Sequence, residues 1–350
     1  MKEKGKAKEK VKEIAKNIGH FFFKYRFLWR RIGFALVSLF FAVLLTFFVL
    51  TLIPNNSVDE YALQIMMQRN ISFEEAYHLA IQILGYNPNE NVFVQFWHYI
   101  VNLSKGNLGT SIRFPGVTAN SIIKQFLPYT LFISSLALVV SFVIGIVLGS
   151  KMASKRSRFF EVNATSFILV SSSVPDYIWA LLLLFVFSNK LGWFPMEGAR
   201  DLSNDLPGWI DLIWHSVLPV VSMVIVQISG WALTMRGSCV AVLGEDYVNA
   251  AKARGIPKRI IDRRYLRRNA ILPLVTSIAI SFAALFGGST LIESMFNFPG
   301  LGLQLASHIG IRDYYVVVGI LFFTSSIIVL ANLIADSIYS LIDPRIRRSS

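Results

Sequence analysis

The sequence predicts an all-α integral membrane protein with six transmembrane helices, a short cytoplasmic helix and a helical external segment after the first span. Three observations carry that prediction. Hydrophobic residues make up 54% of the 350 and charged ones 16%, well below the quarter usual in soluble domains. Six stretches come close to the ~20 apolar residues a helix needs to cross the hydrocarbon core. The Lys and Arg residues behind the net charge of +13 collect in loops that would all lie on one side of the membrane.

Taken in order, residues 1–31 form a basic cytoplasmic tail. The first span is Ile32–Ile53, and residues 54–126 are external. Within that external stretch, Val58–Arg69 reads as helix. Ser72 followed by Glu75 is a capping-box signal that opens a second helix ending at Gly85. Val92–Leu103 is an aromatic-rich amphipathic helix, with Phe93, Phe96, Trp97 and Ile100 at helical spacing, suited to lie along the outer interface or to cap the spans. Residues 127–341 hold the other five spans: Leu127–Ser150, Asn163–Ser188, Trp214–Met235, Ile271–Ile292 and Tyr314–Leu341. Gly, Ser and Pro inside them suit helices packed on helices. Pro175 in the third span and Gly287 with Gly288 in the fifth mark the points of kinking or close packing. Residues 342–350 are a cytoplasmic tail.

With both termini inside, the N-terminal tail carries eleven Lys and Arg, the loop after the second span four, residues 236–268 nine and the C-terminal tail three. Only seven of the 34 then remain outside. That is the positive-inside pattern of a multi-pass cell-membrane protein, and it accounts for the charge without nucleic acid, for which no reading module is present. The Lys-rich start, Lys2–Lys16, is no secretory signal. The apolar run behind it has full transmembrane length and no small-residue cleavage site follows. It reads as a headgroup-bound tail that fixes orientation.

Several chemistries are excluded by the residues available. The one cysteine, Cys239, allows no internal disulfide, and the five histidines form no metal-ligand spacing. No phosphate-cradling loop is present, because the glycine cluster at Gly106–Ser111 lacks the lysine. Nor is there an HExxH or a Gly-x-Ser-x-Gly elbow, and Gly287-Gly288-Ser289 reads as a small-residue helix contact. The chain therefore reads as a non-enzyme with no cofactor of its own.

The most informative stretch is GEDYVNAAKARGIPKRIIDRRYLRRNAILP, from Gly244 to Pro273. Too charged for a bilayer, it separates two spans. Tyr247, Ala250, Ala251 and Arg254 fall at helical spacing. The helix stops at Gly255, which can turn left-handed, and Pro257 cannot continue it. A short helix held at the cytoplasmic face suits the transmission of force from a soluble partner.

These residues resemble the coupling-helix motif of ABC importer permeases, Glu-Ala-Ala followed three residues later by Gly. The run Tyr247–Gly255 with its continuation Leu266–Pro273 (LRRNAILP) is similar, more narrowly, to the oligopeptide/dipeptide (peptide/nickel) permease branch. Four more stretches agree in order: Gly106–Ser111 (GNLGTS), Leu191–Pro195 (LGWFP), Glu293–Gly302 (ESMFNFPGLG), and Arg312-Asp313-Tyr314 leading to Leu341-Ile342-Asp343-Pro344-Arg345. The likeness covers about Asn91 to Arg347 and fits the first of the two paired permeases. Asn249 stands where the general motif has Glu, and Pro273 follows Gly255 by eighteen positions; both are ordinary in this branch. Asp176, after Pro175, departs from the small or apolar residue usual there.

The resemblance implies a complex with a second permease, two cytoplasmic ATPase subunits that bind ATP and Mg, and an external solute-binding protein. It also implies alternating access driven from the coupling helix. Peptides are the expected substrate, with oligosaccharides and then nickel as alternatives. A secondary transporter would show paired broken helices in repeated halves, and none is evident.

The expected pathway residues are Asp176, Tyr177 and Ser172 in the third span, Ser277 and Ser281 in the fifth, and Glu293 at its outer end, with Ser171, Ser173 and Trp179 as further candidates. An intramembrane carboxylate costs roughly 2.5–3.5 kcal/mol on insertion scales. Asp176 thus lines the cavity or pairs with a neighbouring span, and Glu293 either lines the pathway or faces water at the interface. Asn332, Asp336, Tyr339 and Asp343 share one face of the last span, where contacts with the partner permease or other spans are the first reading.

Overall fold

The computed structural model describes residues 26–51, 56–84, 87, 89–114, 116–154, 158–201, 207–287 and 289–342. The tail up to residue 25, Gly85, Gly288 and everything from Asp343 on lie outside them. Among the described residues the chain is helical, without a strand; one isolated bridge joins Thr110 and Thr118.

The first helix, α1 (Arg26–Thr51), holds the first span. After it come α2 (Asn56–Arg69), α3 (Phe73–Leu84) and α4 (Val92–Ser104), within one residue or two of the sequence reading. Ser72 Oγ accepts from the Glu75 N–H at 3.3 Å, so half of the expected capping box is formed. The buried faces of α2 and α3, with Tyr61, Ala62, Ile65, Ala76 and Ala80, pack together and onto Tyr315 and Val318 of the last helix. On α4 the aromatic stripe divides. Phe96 packs edge-on against Phe47 of α1, with centroids 5.0 Å apart, while Phe93 and Trp97 remain exposed. Tyr99 fixes the same contact by donating its hydroxyl to Thr46 Oγ1 at 3.0 Å.

The second span is longer than its apolar run. Helix α5 (Ala119–Ser154) starts eight residues before the expected Leu127, with Pro128 inside it. It packs along α8 (Gly208–Leu243), and the approach is close because of glycine: a Cβ on Gly149 would run into the Ala232 carbonyl of α8. Ser141 donates to Gln227 Oε1 across this seam at 2.9 Å. Small residues and an interhelical hydrogen bond are what holds helices together in lipid, where apolar burial drives nothing.

The third expected span is not one helix. It divides into α6 (Arg158–Ser173) and α7 (Asp176–Leu183), the latter continuing as a π-helical stretch, Leu184–Lys190. The two halves meet at 100°. Pro175 has no N–H to give α6 and disfavours helical geometry at Val174, so the break falls where the sequence placed a kink but is far sharper.

After α8 come α9 (Asp246–Ala253), then α10 (Lys258–Ile260), a π-helical stretch Ile261–Arg267 and α11 (Arg268–Ala270). The fifth expected span is likewise divided: α12 (Leu272–Ala284), a 3₁₀ turn Leu285–Gly287 and α13 (Thr290–Met295). Helix α14 (Leu301–Gly310) and the long α15 (Tyr314–Ile342) complete the described residues, α15 lying against α1. Among the described residues, four helices are long and apolar enough to cross a membrane, five when the bent α6–α7 pair counts as one. In place of six continuous spans, the described residues hold these four and the α6–α7 pair bent at Pro175, while the fifth expected span is interrupted at the 3₁₀ turn Leu285–Gly287.

Candidate functional site

A cavity of about 520 Å³ opens between α5, α7, α8 and the α12 region, within the 300–1,000 Å³ usual for small-molecule sites. Its polar lining comes from Ser134 on α5, Asp176, Gln227 and Thr234 on α8, Ser281 on α12, and Ser289. Apolar Leu138, Met223, Trp231 and Leu285 make up most of the rest. Asp176 is here because the chain breaks at Pro175: it opens α7, and one carboxylate oxygen, Oδ1, accepts its neighbour Tyr177's N–H at 2.9 Å. The positive end of the helix favours that charge.

Of the six expected pathway residues, Asp176 and Ser281 border this cavity and four do not. Tyr177 is exposed on α7. Ser172 and Ser277 donate back to the carbonyls of Leu169 and Pro273, at 3.2 and 3.1 Å, within their own helices. Ser171, another candidate, is sealed between helices with its hydroxyl 2.6 Å from Ser229 of α8.

Glu293 requires correction. It neither lines the cavity nor faces interfacial water; it is fully buried. Its carboxyl oxygens accept from Thr130 Oγ1 at 2.9 Å, from Gly302 N–H at 2.6 Å and from Leu303 N–H at 3.1 Å. Thr130 in turn accepts the Leu301 N–H at 2.7 Å. Glu293 and Thr130 thereby satisfy the free N–H groups that open α14, the need every helix start has. The ESMFNFPGLG stretch is explained by this packing: a Cβ on Gly302 would lie 2.7 Å from Thr290 Cα and 2.9 Å from Glu293 Oε2.

GNLGTS and Arg312-Asp313-Tyr314 form a second lock of the same kind. Buried Asp313 accepts from the Ser111 hydroxyl and, at 3.2 Å, from the Ile112 N–H. Asn120 closes the loop from the other side, donating to the Gly106 carbonyl at 2.6 Å. Sequence reasoning missed Gln227, Thr234, Ser134 and Ser289. The signal was present for Gln227, an amide in the middle of an apolar span.

Helix α9 has two faces. Val248 and Ala251 point inward and pack with Ile261 against Val242, Leu243, Ile256 and Tyr265. Tyr247, Ala250 and Arg254 point outward, as do Gly255 and Pro257. Ala251, expected with the others, therefore belongs to the base. The helix ends in a double closure: Gly255 N–H donates to Lys252 O at 3.0 Å and Ile256 N–H to Ala251 O at 3.2 Å, with Gly255 at φ +75°. This is the Schellman arrangement. Asn269 donates to the Tyr247 hydroxyl at 3.1 Å, so the two halves of the motif, far apart in sequence, hold each other. Below them Cys239, fully buried, packs with Met235, Leu266, Ala270 and Leu274. Arg236 pairs with Glu161 of α6.

The family described as "Binding-protein-dependent transport system inner membrane component" matches residues 141–348, more than half of the chain. The oligopeptide transport system permease protein OppB of Haemophilus influenzae is 30% identical over 323 residues, 92% of this chain and 99% of that protein. The di/tripeptide transport system permease protein DppB of Pseudomonas aeruginosa is 30% identical over 342 residues, 92% and 98% of the two chains. Among solved structures, an inward-facing form of the MetNI methionine ABC transporter matches at a TM-score of 0.51 and 17% identity, over 63% of this chain and 96% of that one, a likeness of fold alone. The regions matched run from the α5–α8 seam through α9 to α15, and on them the chain belongs to the family of binding-protein-dependent transport system inner membrane components, as a multi-pass membrane permease subunit.

Proposed function

We propose that this permease is the first of two paired membrane subunits of an ATP-driven importer of short peptides, and that α9 is the element its ATPase partners move. The observation that carries the reading is α9 itself. It is a two-turn helix clamped at its base by Val248 and Ala251, closed at its end by Gly255, and presenting Tyr247, Ala250 and Arg254 outward. Such an element passes a push on to α8 and α12 instead of yielding to it. ATP binding shifts the permease only by as much as it favours one state over the other, and the contact on α9 is where that difference enters.

In this reading six segments cross the membrane, the α6–α7 pair and the α12–α13 segment among them, with both termini cytoplasmic. Residues Pro54–Phe126, Asn189–Ile213 and Glu293–Asp313 lie outside, where a solute-binding protein docks. ATP and Mg belong to the two ATPase subunits and no cofactor to this chain. The pathway is the cavity holding Asp176, Gln227 and Ser281, completed by the second permease. Peptides are favoured because the relatives named for a substrate carry oligopeptides or di- and tripeptides. Mixed hydroxyl and amide groups also suit a backbone that donates and accepts.

Proteoliposomes holding the complete importer test the function. The expected result is ATP-dependent uptake of labelled two- to five-residue peptides in the presence of the cognate binding protein. Uptake of oligosaccharides or Ni²⁺ with no peptide uptake overturns the substrate, and uptake without ATP or ATPase subunits overturns the mechanism.

A further inference from the structure

The cavity carries one charge among its described lining residues, Asp176. Three features of that carboxylate are unusual together. It sits at the 100° break between α6 and α7, so it is delivered to the cavity by backbone geometry and not by a flexible arm. It is only half-buried, and among the described residues no Lys, Arg or His stands within ion-pairing reach of it. Its hydrogen bond from Tyr177 N–H uses Oδ1, leaving Oδ2 for another donor. A structural intramembrane carboxylate is ordinarily enclosed and satisfied, as Glu293 is by three donors. Asp176 has the opposite surroundings: open space, Gln227, Ser281 and Ser134 on the walls, and the Trp231 side chain.

We propose that Asp176 recognises an ammonium group of the substrate during passage, the amino terminus of a peptide or a lysine side chain. This rests on the cavity being the pathway of the proposed importer. A peptide amino terminus has an ordinary pKa of about 7.7–8.0 and is mostly protonated at pH 7. An ammonium in contact with one carboxylate in a partly hydrated cavity gains a Coulomb attraction far above its value in bulk water. The surrounding hydroxyl and amide groups have both donors and acceptors for the peptide units that follow. A neutral or acidic leading group gains nothing from Asp176, so the residue biases the pathway toward cationic ends while leaving side chains otherwise unread.

The test is uptake by the complete reconstituted importer, wild type against Asp176→Asn, with three forms of one peptide. These are the free amino terminus, the N-acetylated peptide, and the N-acetylated peptide carrying a lysine. The binding protein is the same throughout, so a change in the ratio of rates between wild type and variant reports the permease. The expected result is that Asp176→Asn lowers uptake of both ammonium-bearing forms about five- to tenfold relative to the acetylated neutral form, and that Asp176→Glu restores much of the ratio. A loss confined to one ammonium-bearing form assigns the site to that source. Asp176→Ser keeps an acceptor for the Tyr177 N–H and must lose the ratio as Asn does, which separates charge from helix capping. An unchanged ratio in Asp176→Asn, with peptide uptake intact, overturns this inference alone. Absence of peptide uptake by the wild type overturns the importer reading, and this inference with it.

Discussion

Two carboxylates, Asp176 and Glu293, look alike in sequence and are opposites in place. Glu293 is fully enclosed and holds the start of α14 through Gly302 and Leu303. Glu293→Ala leaves those N–H groups and Thr130 without their acceptor, at a cost of about 1–3 kcal/mol for each group left buried and unpaired. Thermal unfolding of the detergent-purified protein should show a clearly lowered midpoint, while the substrate preference of whatever folds stays as in the wild type. A changed preference with full stability would return Glu293 to the pathway. His308 on α14 makes a different prediction. It is buried beside Phe114, with neither ring nitrogen hydrogen-bonded. Burial lowers its pKa below the ordinary value, and the Asp313 charge opposes that only in part. The native ring therefore stays neutral at a pH where the unfolded chain, titrating near 6.5, already binds a proton. Stability from this residue is complete above about pH 6.5 and is lost as pH falls toward the lower native pKa. Melting measured from pH 8 to 5 should decline below about 6.5, and His308→Gln should decline less steeply; equal slopes would remove His308 as the source.

At the scale of the element, α9 shows how a two-turn helix becomes rigid. Its end depends on Gly255 at φ +75°. A Cβ there meets nothing within 4 Å, so substitution acts through backbone strain and not through crowding. Gly255→Val should cost about 1–2 kcal/mol at a left-handed residue and leave the importer assembled poorly or hydrolysing ATP without transport. Gly255→Asn, which tolerates that conformation, should be milder. Normal transport by Gly255→Val would mean that force does not pass this turn. Tyr247→Phe deletes the acceptor for Asn269 and loosens α9 from α11 by about 1 kcal/mol. Its effect should appear as reduced transport per ATP hydrolysed, at unchanged ATPase rate.

For the whole molecule, the chain is a transport-system membrane component and not an enzyme; ATP hydrolysis belongs to a separate subunit. The proposed orientation, termini inside, rests on charge, because it gathers the basic loops on the cytoplasmic face. A cysteine placed at exposed Gln68 on α2 should react with a membrane-impermeant thiol reagent in intact cells, and one at exposed Lys252 on α9 only after permeabilisation. Native Cys239 is buried and should stay silent. The reverse labelling pattern would invert the topology.

The sequence by itself determined the membrane class, the helical segment after the first span and the place where α9 stops, because these depend on local properties. Hydropathy over a window sets a span, and a glycine followed by a proline ends a helix wherever it sits. It also marked Pro175 and Gly287 as points of interruption, since a missing N–H or a missing side chain acts on its own turn. What only the tertiary structure decided is which polar groups face one another. Pro175 predicts a kink, but whether α7 continues α6 or turns 100° from it depends on what α7 packs against, which is α8 and α13. From sequence alone Glu293 faces the pathway or water, because its sequence neighbours say nothing of Thr130, 163 residues away. The GNLGTS and Arg312-Asp313-Tyr314 motifs were legible as motifs. Their meaning, a hydroxyl and an N–H closing on one buried carboxylate, exists only once two hundred residues of chain have brought Ser111 and Ile112 to Asp313.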